Sequence, residues 1–147
     1  MRYYQQFDES DCGAACLAMI ASHFGKHLSV AEIRKNAGTD AYGTNLRGLI
    51  DAAKNYGLKV KALVNESKFL SPKIPTPFIA HLNIAFDNES WTYHFVVVKK
   101  IGKKKIQLWD PNPLGKKKTV AIEQFKKEWT GYSLFFEPDV NFTKNKK

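Results

Sequence analysis

Two cysteines, Cys12 and Cys16, and four histidines, His23, His27, His81 and His94, have the widest chemical reach of any residues in this sequence. Cys12 stands between Asp11 and Gly13 at the expected start of a helix. There the unpaired N–H groups and the positive end of the helix dipole favour an anion, so a thiol with a free pKa of about 8.5 is drawn toward thiolate. Gly13 leaves the backbone beside the sulfur uncrowded for an approaching chain. A free cysteine is also a common small core residue, and from Cys12 alone both readings stand. Cys16 lies one turn deeper, near Leu17 and Ile20, and reads as core packing.

A thiol nucleophile needs a base. His23 and His27 fall at the end of the same helix, well over a turn from Cys12, on a solvent face. His94 is better placed. If residues 92–101 and 105–109 form a hairpin turning at Gly102, positions 94 and 110 are equidistant from the turn, and His94 and Asp110 become cross-strand neighbours. A carboxylate there fixes the ring's tautomer and stabilises the imidazolium, the third role in a Cys-His-Asp arrangement. The step depends on register, because a slip of one residue turns Asp110 to the opposite face; the competing reading is a hairpin surface ion pair.

His81 is the rival base. A turn near Asp87 and Asn88 sets its strand beside that of His94, but no acid is comparably placed, so packing is its expected role. Gln6 precedes the helix in an extended segment, and its amide offers two donors that could join the Cys12 backbone N–H in holding an oxyanion. A zinc site from Cys12, Cys16, His23 and His27 has poor tetrahedral geometry on or just beyond one short helix, and no metal or other cofactor is expected.

These residues must be positioned by helices in the first half and strands in the second. Asp11 as N-cap, Cys16, Leu17, Ile20 and Phe24 at helical spacing, and a stop at Gly25 predict a helix over 12–24 with one buried face. Ser29 and Glu32 form a capping-box pattern for a short second helix toward Gly38. Leu46, Leu49, Ile50 and Ala53 define a third, opened by Thr44 and closed by Gly57. Strands are expected at 58–64, 77–82, 92–101, 105–109 and 132–136, with a further short helix over 122–129. Helices first and strands later predict an α+β fold with an antiparallel sheet.

At 147 residues the chain suits one domain that buries roughly 70% of its unfolded surface. A hydrophobic share of 44% and a charged share of 25% exclude global disorder. No apolar stretch approaches the ~20 residues of a membrane span, and the first residues carry no signal-peptide segment. Two cysteines are too few for a disulfide scaffold, which fits a reduced, cytosolic setting. The net charge of +9 is uneven: residues 1–98 hold ten Lys/Arg against nine Asp/Glu, and residues 99–147 hold thirteen against five. Such a surface suits an anionic partner or simple solvation; the runs 103–105 and 116–118 flank turns without a nucleic-acid motif, so no nucleic-acid partner is expected.

The run Gln6-Phe7-Asp8-Glu9-Ser10-Asp11-Cys12-Gly13-Ala14-Ala15-Cys16-Leu17 resembles the Q-x-D-x-x-D-C-G-x-A-C-L signature of double-glycine leader peptidase domains, which open bacteriocin and competence-peptide ABC transporters. His94-Phe95-Val96-Val97-Val98 and Asp110-Pro111 match the second and third signatures in order and separation, and Glu128-Trp129-Thr130-Gly131 resembles the usual end. The likeness covers about residues 3–138. It implies a papain-like cysteine protease fold, a helical half packed on an antiparallel sheet half, with a peptidase domain over 1–139 and a basic tail or linker over 140–147. It further implies Cys12 as nucleophile, His94 as general base and then acid, Asp110 as orienter and Gln6 as oxyanion donor.

The implied reaction is cleavage of a precursor after a Gly-Gly pair, freeing a bacteriocin or signalling peptide from its leader during export. The implied partners are that amphipathic helical leader, seated in an apolar groove away from the cysteine, and the transmembrane and ATP-binding domains of the same transporter. The implied location is the cytoplasmic face of the membrane. Two alternatives keep the frame and change the chemistry: a silent leader-binding module, and a papain-like transglutaminase or deamidase. The polar segment 83–93 is longer than in the shortest family pattern and is expected to loop over the site. The sequence stops before any transmembrane helix, as an excised N-terminal domain or a stand-alone relative would.

Overall fold

The computed structural model describes residues 1–7, 9–38, 45–85 and 90–143. A single 3-10 turn, Glu9–Asp11, leads into α1, Cys12–His23. Every residue of α1 from Cys12 to Ser22 is buried, so the helix has no solvent face, in contrast to the one-sided pattern its large apolar residues suggest. Gly13, Ala14, Ala15, Ala18 and Ala21 supply the difference: small side chains let α2 (Val30–Asn36), α3 (Leu46–Asn55) and the sheet close on α1 together. A Cβ on Gly13 would stand 3.2 Å from the Leu49 methyl carbons of α3, so Gly13 serves helix packing rather than substrate approach.

The helix starts follow local chemistry with two changes. Ser29 accepts from the Glu32 N–H at 3.0 Å, the expected cap of α2. Thr44 lies outside the described residues, and α3 is capped by Asn45, which accepts from the Gly48 N–H at 2.7 Å. Asp11 makes no side-chain cap on α1; its carboxylate meets the Arg34 guanidinium at 3.1 Å and ties the start of α1 to α2.

Six strands form one antiparallel sheet in the order β1-β6-β2-β3-β4-β5. They are β1 Leu58–Val64, β2 Phe78–Ala85, β3 Trp91–Ile101, β4 Lys105–Asp110, β5 Lys116–Ala121 and β6 Trp129–Pro138, with α4, Ile122–Glu128, between the last two. β5 is the unexpected element, because three consecutive lysines hide the alternation of a strand; it forms an edge, where lysines discourage pairing with other chains. Of the expected loop over 83–93, the described residues are largely sheet: Asn83 pairs with Tyr93, Ile84 with Thr92 and Ala85 with Trp91. The turn expected near Asp87 and Asn88 lies outside the described residues.

Alternation along the strands gives the sheet two apolar faces. Ile79, Phe95, Val97, Trp109 and Leu134 join the core built around α1, α2 and α3. Phe78, Ala80, Leu82, Val96, Val98 and Leu108 pack with Ile122 and Phe125 of α4 and with Trp129. After β6 the chain turns back and sets the Phe142 ring 6.4 Å from that of Phe24. Its backbone is so close to Gly57 (φ +85°) that a Cβ there would lie 2.8 Å away.

Candidate active site

The β3–β4 hairpin turns through Lys103 and Lys104, where the Gly102 N–H donates to the Lys105 carbonyl at 2.8 Å. Ile101 pairs with Ile106 and Lys100 with Gln107; after a bulge at Lys99 the pairs become Val98 with Leu108 and Val97 with Trp109, where the ladder ends. The hairpin is thus not centred on Gly102, and His94 and Asp110 are not direct cross-strand partners. Continuing the ladder sets Asp110 opposite Val96, two residues from His94, and an even offset keeps both on one face. Their side chains meet across this diagonal, with His94 Nε2 2.7 Å from Asp110 Oδ1.

Both residues are nearly buried, His94 at 8% exposure and Asp110 at 5%. Asp110 is held from several sides. The Asn112 N–H donates to Oδ1 at 2.9 Å, Lys118 Nζ approaches Oδ2 at 3.4 Å, and the Tyr3 hydroxyl donates to the Asp110 carbonyl. Gly115 closes the pocket: a Cβ there would fall 2.5 Å from Oδ2. Burial pushes the Asp110 pKa up, but the His94 hydrogen bond and charge, the Asn112 N–H and the Lys118 ammonium outweigh it and hold the carboxyl below its ordinary value.

Cys12, at 7% exposure, begins α1 near enough to the His94 ring for its thiol to help raise the ring's pKa. Asp110 engages Nε2, which leaves Nδ1 as the ring nitrogen open to the sulfur. Burial disfavours the imidazolium, yet the hydrogen bonds and negative charges of Asp110 and Cys12 prevail and raise the His94 pKa to about 9. Cys16 is completely buried, and desolvation, helped by the charges of Cys12 and Asp110, pushes its thiol well above the ordinary range. It packs in the core, as its spacing suggests.

Gln6 comes to the same place. Its backbone N–H donates to the Pro111 carbonyl at 2.9 Å, next to Asp110, and the residue is 7% exposed. Its Oε1 is buried and, among the described residues, has no hydrogen-bond partner. His81 stays apart from the thiol: Nδ1 lies 3.0 Å from Thr130 Oγ1, the ring stacks 4.8 Å from Tyr93, and burial lowers its pKa. His23 is exposed at the far end of α1 and His27 half-buried beyond it.

Tyr3, Gly115 and Lys118 were not singled out by sequence reasoning. Tyr3 is 107 residues from the carbonyl it bonds, a separation that carries no local signal. Lys118 sits inside a run that reads as solvated surface. Gly115 had one available cue, a glycine in the turn just after the acid.

A helix-borne thiol, an imidazole on a neighbouring strand and a carboxylate beyond it, set on an α+β frame, are the arrangement of papain-like cysteine peptidases. The family model described as Peptidase C39 family matches residues 1–141, and the chain belongs to that family. It is 36% identical over 146 residues to the lactococcin transport/processing ATP-binding protein LcnC-like of Lactococcus lactis, covering 99% of this chain and 20% of that protein. To the transport/processing ATP-binding protein ComA of Streptococcus pneumoniae it is 33% identical, with 99% and 20% covered. The chain therefore spans about a fifth of the length of these relatives. Among solved structures, the peptidase domain of Streptococcus ComA superposes with TM-score 0.82 at 30% identity, covering 94% of this chain and all of that one. A double glycine motif protease from an AMS/PCAT transporter, solved in complex with the leader peptide, gives TM-score 0.80 at 31% identity, covering 93% and 91%.

Proposed function

We propose that this chain is a cysteine endopeptidase that removes the leader from a bacteriocin or peptide-pheromone precursor by cutting after a Gly-Gly pair. The observation that supports the reading is the 2.7 Å contact between His94 and the Asp110 carboxylate, at a ring whose pKa the Cys12 thiol also raises. Cys12 Sγ attacks the carbonyl carbon of the second glycine. Gln6 and the Cys12 backbone N–H hold the oxyanion. His94, carrying the proton from the Cys12 thiol on Nδ1 while Asp110 fixes the ring through Nε2, donates that proton to the departing amine as the C–N bond breaks, and a thioester joins Cys12 to the leader. Water then attacks the thioester with His94 as base, releasing the leader carboxylate and restoring the thiol.

The burial of the site accounts for glycine. Cys12, His94 and Gln6 are each 7–8% exposed, so a bare backbone reaches the sulfur more easily than one carrying side chains. An apolar groove lined by Leu63, Leu70, Ile74, Phe78, Trp129 and Phe135 is the seat we assign to the apolar face of the leader helix. Its Phe78 and Trp129 belong to the same apolar cluster as Leu82, the cross-strand partner of His94. The relatives are named for transport and processing, which supports a place at the cytoplasmic face of a membrane transporter, beside its transmembrane and ATP-binding domains. Among the described residues no helix is long and apolar enough to cross a membrane.

The test is mass spectrometry of a Gly-Gly leader precursor after incubation with the protein. Two fragments separated after the second glycine support the reading. An intact precursor that remains bound points to a receptor, and a gain of about one mass unit, the change from amide to acid, points to a deamidase.

A further inference from the structure

The charge of this protein is concentrated on one edge of the sheet. Between Lys99 and Ile122 the sequence holds eight lysines and a single acid, Asp110. Lys99 and Lys100 end β3, Lys103 and Lys104 make the turn, Lys105 opens β4, and Lys116, Lys117 and Lys118 open the edge strand β5. Seven of the eight are exposed, and Lys99 is half-buried. Three have local partners: Lys118 reaches Asp110, while the Lys99 and Lys117 ammonium groups stand 5.8 Å and 4.3 Å from the centre of the Trp109 ring. Among the described residues, Lys100, Lys103, Lys104, Lys105 and Lys116 have no carboxylate partner.

Guarding an edge strand takes only a lysine or two on that strand. Here the excess continues around the hairpin tip, away from the edge hydrogen bonds, while residues 1–98 are nearly neutral. A molecule so polarised turns its β3–β4 tip and β5 toward any extended negative surface.

We propose that this lysine edge docks the domain on anionic phospholipid headgroups. The inference rests on the reading above, which sets the chain beside a membrane. Lipid is favoured over an acidic peptide because the lysines are spread along a hairpin tip and an edge strand, and none of them lines the grooves at β1 and β6. It is favoured over nucleic acid because no exposed aromatic side chain is interleaved among them: Trp109, the one aromatic in the stretch, is 7% exposed. Lys105 stands at the opposite end of β4 from Asp110, which at about 3.3 Å per residue is about 17 Å along the strand, and Lys103 and Lys104 lie beyond it in the turn. Lys116 pairs with Asp110 and Lys118 contacts its carboxylate, so the hairpin tip is the part of the edge that can touch a surface while standing clear of the site.

The experiment is co-sedimentation of the protein with phosphatidylcholine vesicles and with vesicles that also carry phosphatidylglycerol, at low and raised salt. Binding is expected only with phosphatidylglycerol and should weaken as salt rises. Lys103→Gln, Lys104→Gln and Lys105→Gln together should weaken it by about fivefold per lysine removed. Lys54→Gln with Lys59→Gln, exposed lysines on the helical half and the far edge strand, should leave it nearly unchanged. Equal binding to both vesicles, no binding to either, or equal losses in the two variants would overturn the proposal. So would capture of polyuridylate RNA without capture of vesicles. Cleavage of a Gly-Gly precursor in solution is scored in parallel: failure of cleavage counts against the peptidase reading, and failure of vesicle binding with cleavage intact counts against the lipid surface alone.

Discussion

Asp110 lies two residues beyond His94 in the β3–β4 register, and the two side chains close that diagonal with a 2.7 Å contact. The bulge at Lys99 makes this possible. In the register near the turn, where Ile101 pairs with Ile106, Asp110 would stand opposite Val97 and point away from the histidine. One extra residue in β3 shifts the partner to Val96 and returns the carboxylate to the right face. The Cys12 thiol at the start of α1 also raises the pKa of this ring.

The raised His94 pKa sets a pH signature. The ring is protonated, and able to donate to a leaving amine, up to about 9, so kcat/KM should fall through an alkaline limb near that pH. Asp110→Asn removes the negative charge that raises the ring and leaves only a neutral amide to bond Nε2, and the limb should move to lower pH. A pH–rate profile that is unchanged in the variant would contradict the pairing.

Linkage adds a stability signature. The folded pKa of His94 lies above its ordinary 6.5, so its contribution is complete below that pH and is lost as pH rises through about 9. The folded pKa of Asp110 lies below 3.8, so its contribution is present above that pH and is lost as pH falls through the depressed value. Thermal unfolding across pH should show a plateau between these limits, and Asp110→Asn should flatten both shoulders.

Gln6→Ala should lower kcat by about 10² to 10³ with KM nearly unchanged, as for loss of other oxyanion donors. A change confined to KM would place Gln6 in binding rather than in oxyanion stabilisation.

Gly115→Ala forces a methyl group to within 2.5 Å of Asp110 Oδ2. The carboxylate must shift, so kcat should drop and the alkaline limb should move to lower pH, with an overpacking cost of about 1–3 kcal/mol. Normal kinetics in a stable Gly115→Ala protein would show that Asp110 has room to spare.

Cys16→Ser sets a hydroxyl into a fully buried apolar position and should cost about 1–3 kcal/mol in urea unfolding. Cleavage activity should survive, and iodoacetamide labelling of the wild type should fall on Cys12. Faster labelling of Cys16 would reverse the assignment.

The helices and most strands were legible because their signals are local: Ser29 three residues before Glu32, or Leu46, Leu49, Ile50 and Ala53 on one stripe. That His94 and Asp110 share a face was legible from parity, though the hairpin centre was misplaced: the turn runs through Lys103 and Lys104 rather than Gly102, and the bulge at Lys99 leaves no residue pattern of its own. β5 was missed since Lys116–Lys118 carry no alternation and are ordered by pairing with Trp109 and its neighbours. Burial of α1 on all sides was missed because alanines are silent in a pattern of large apolar residues, and their partners come from Leu49, Ile33 and the sheet. The approach of Tyr3 to Asp110 depends on the whole fold.

The central claim is that the Cys12 sulfur, relayed by His94, cuts a peptide after Gly-Gly. Incubating a Gly-Gly precursor with wild-type protein and with Cys12→Ala, and measuring both cleavage and leader binding, tests it most directly. The expected result is cleavage after the second glycine by the wild type, and full leader binding without cleavage by Cys12→Ala. Cleavage that persists in Cys12→Ala, or a wild type that binds leader and never cuts it, would contradict the claim.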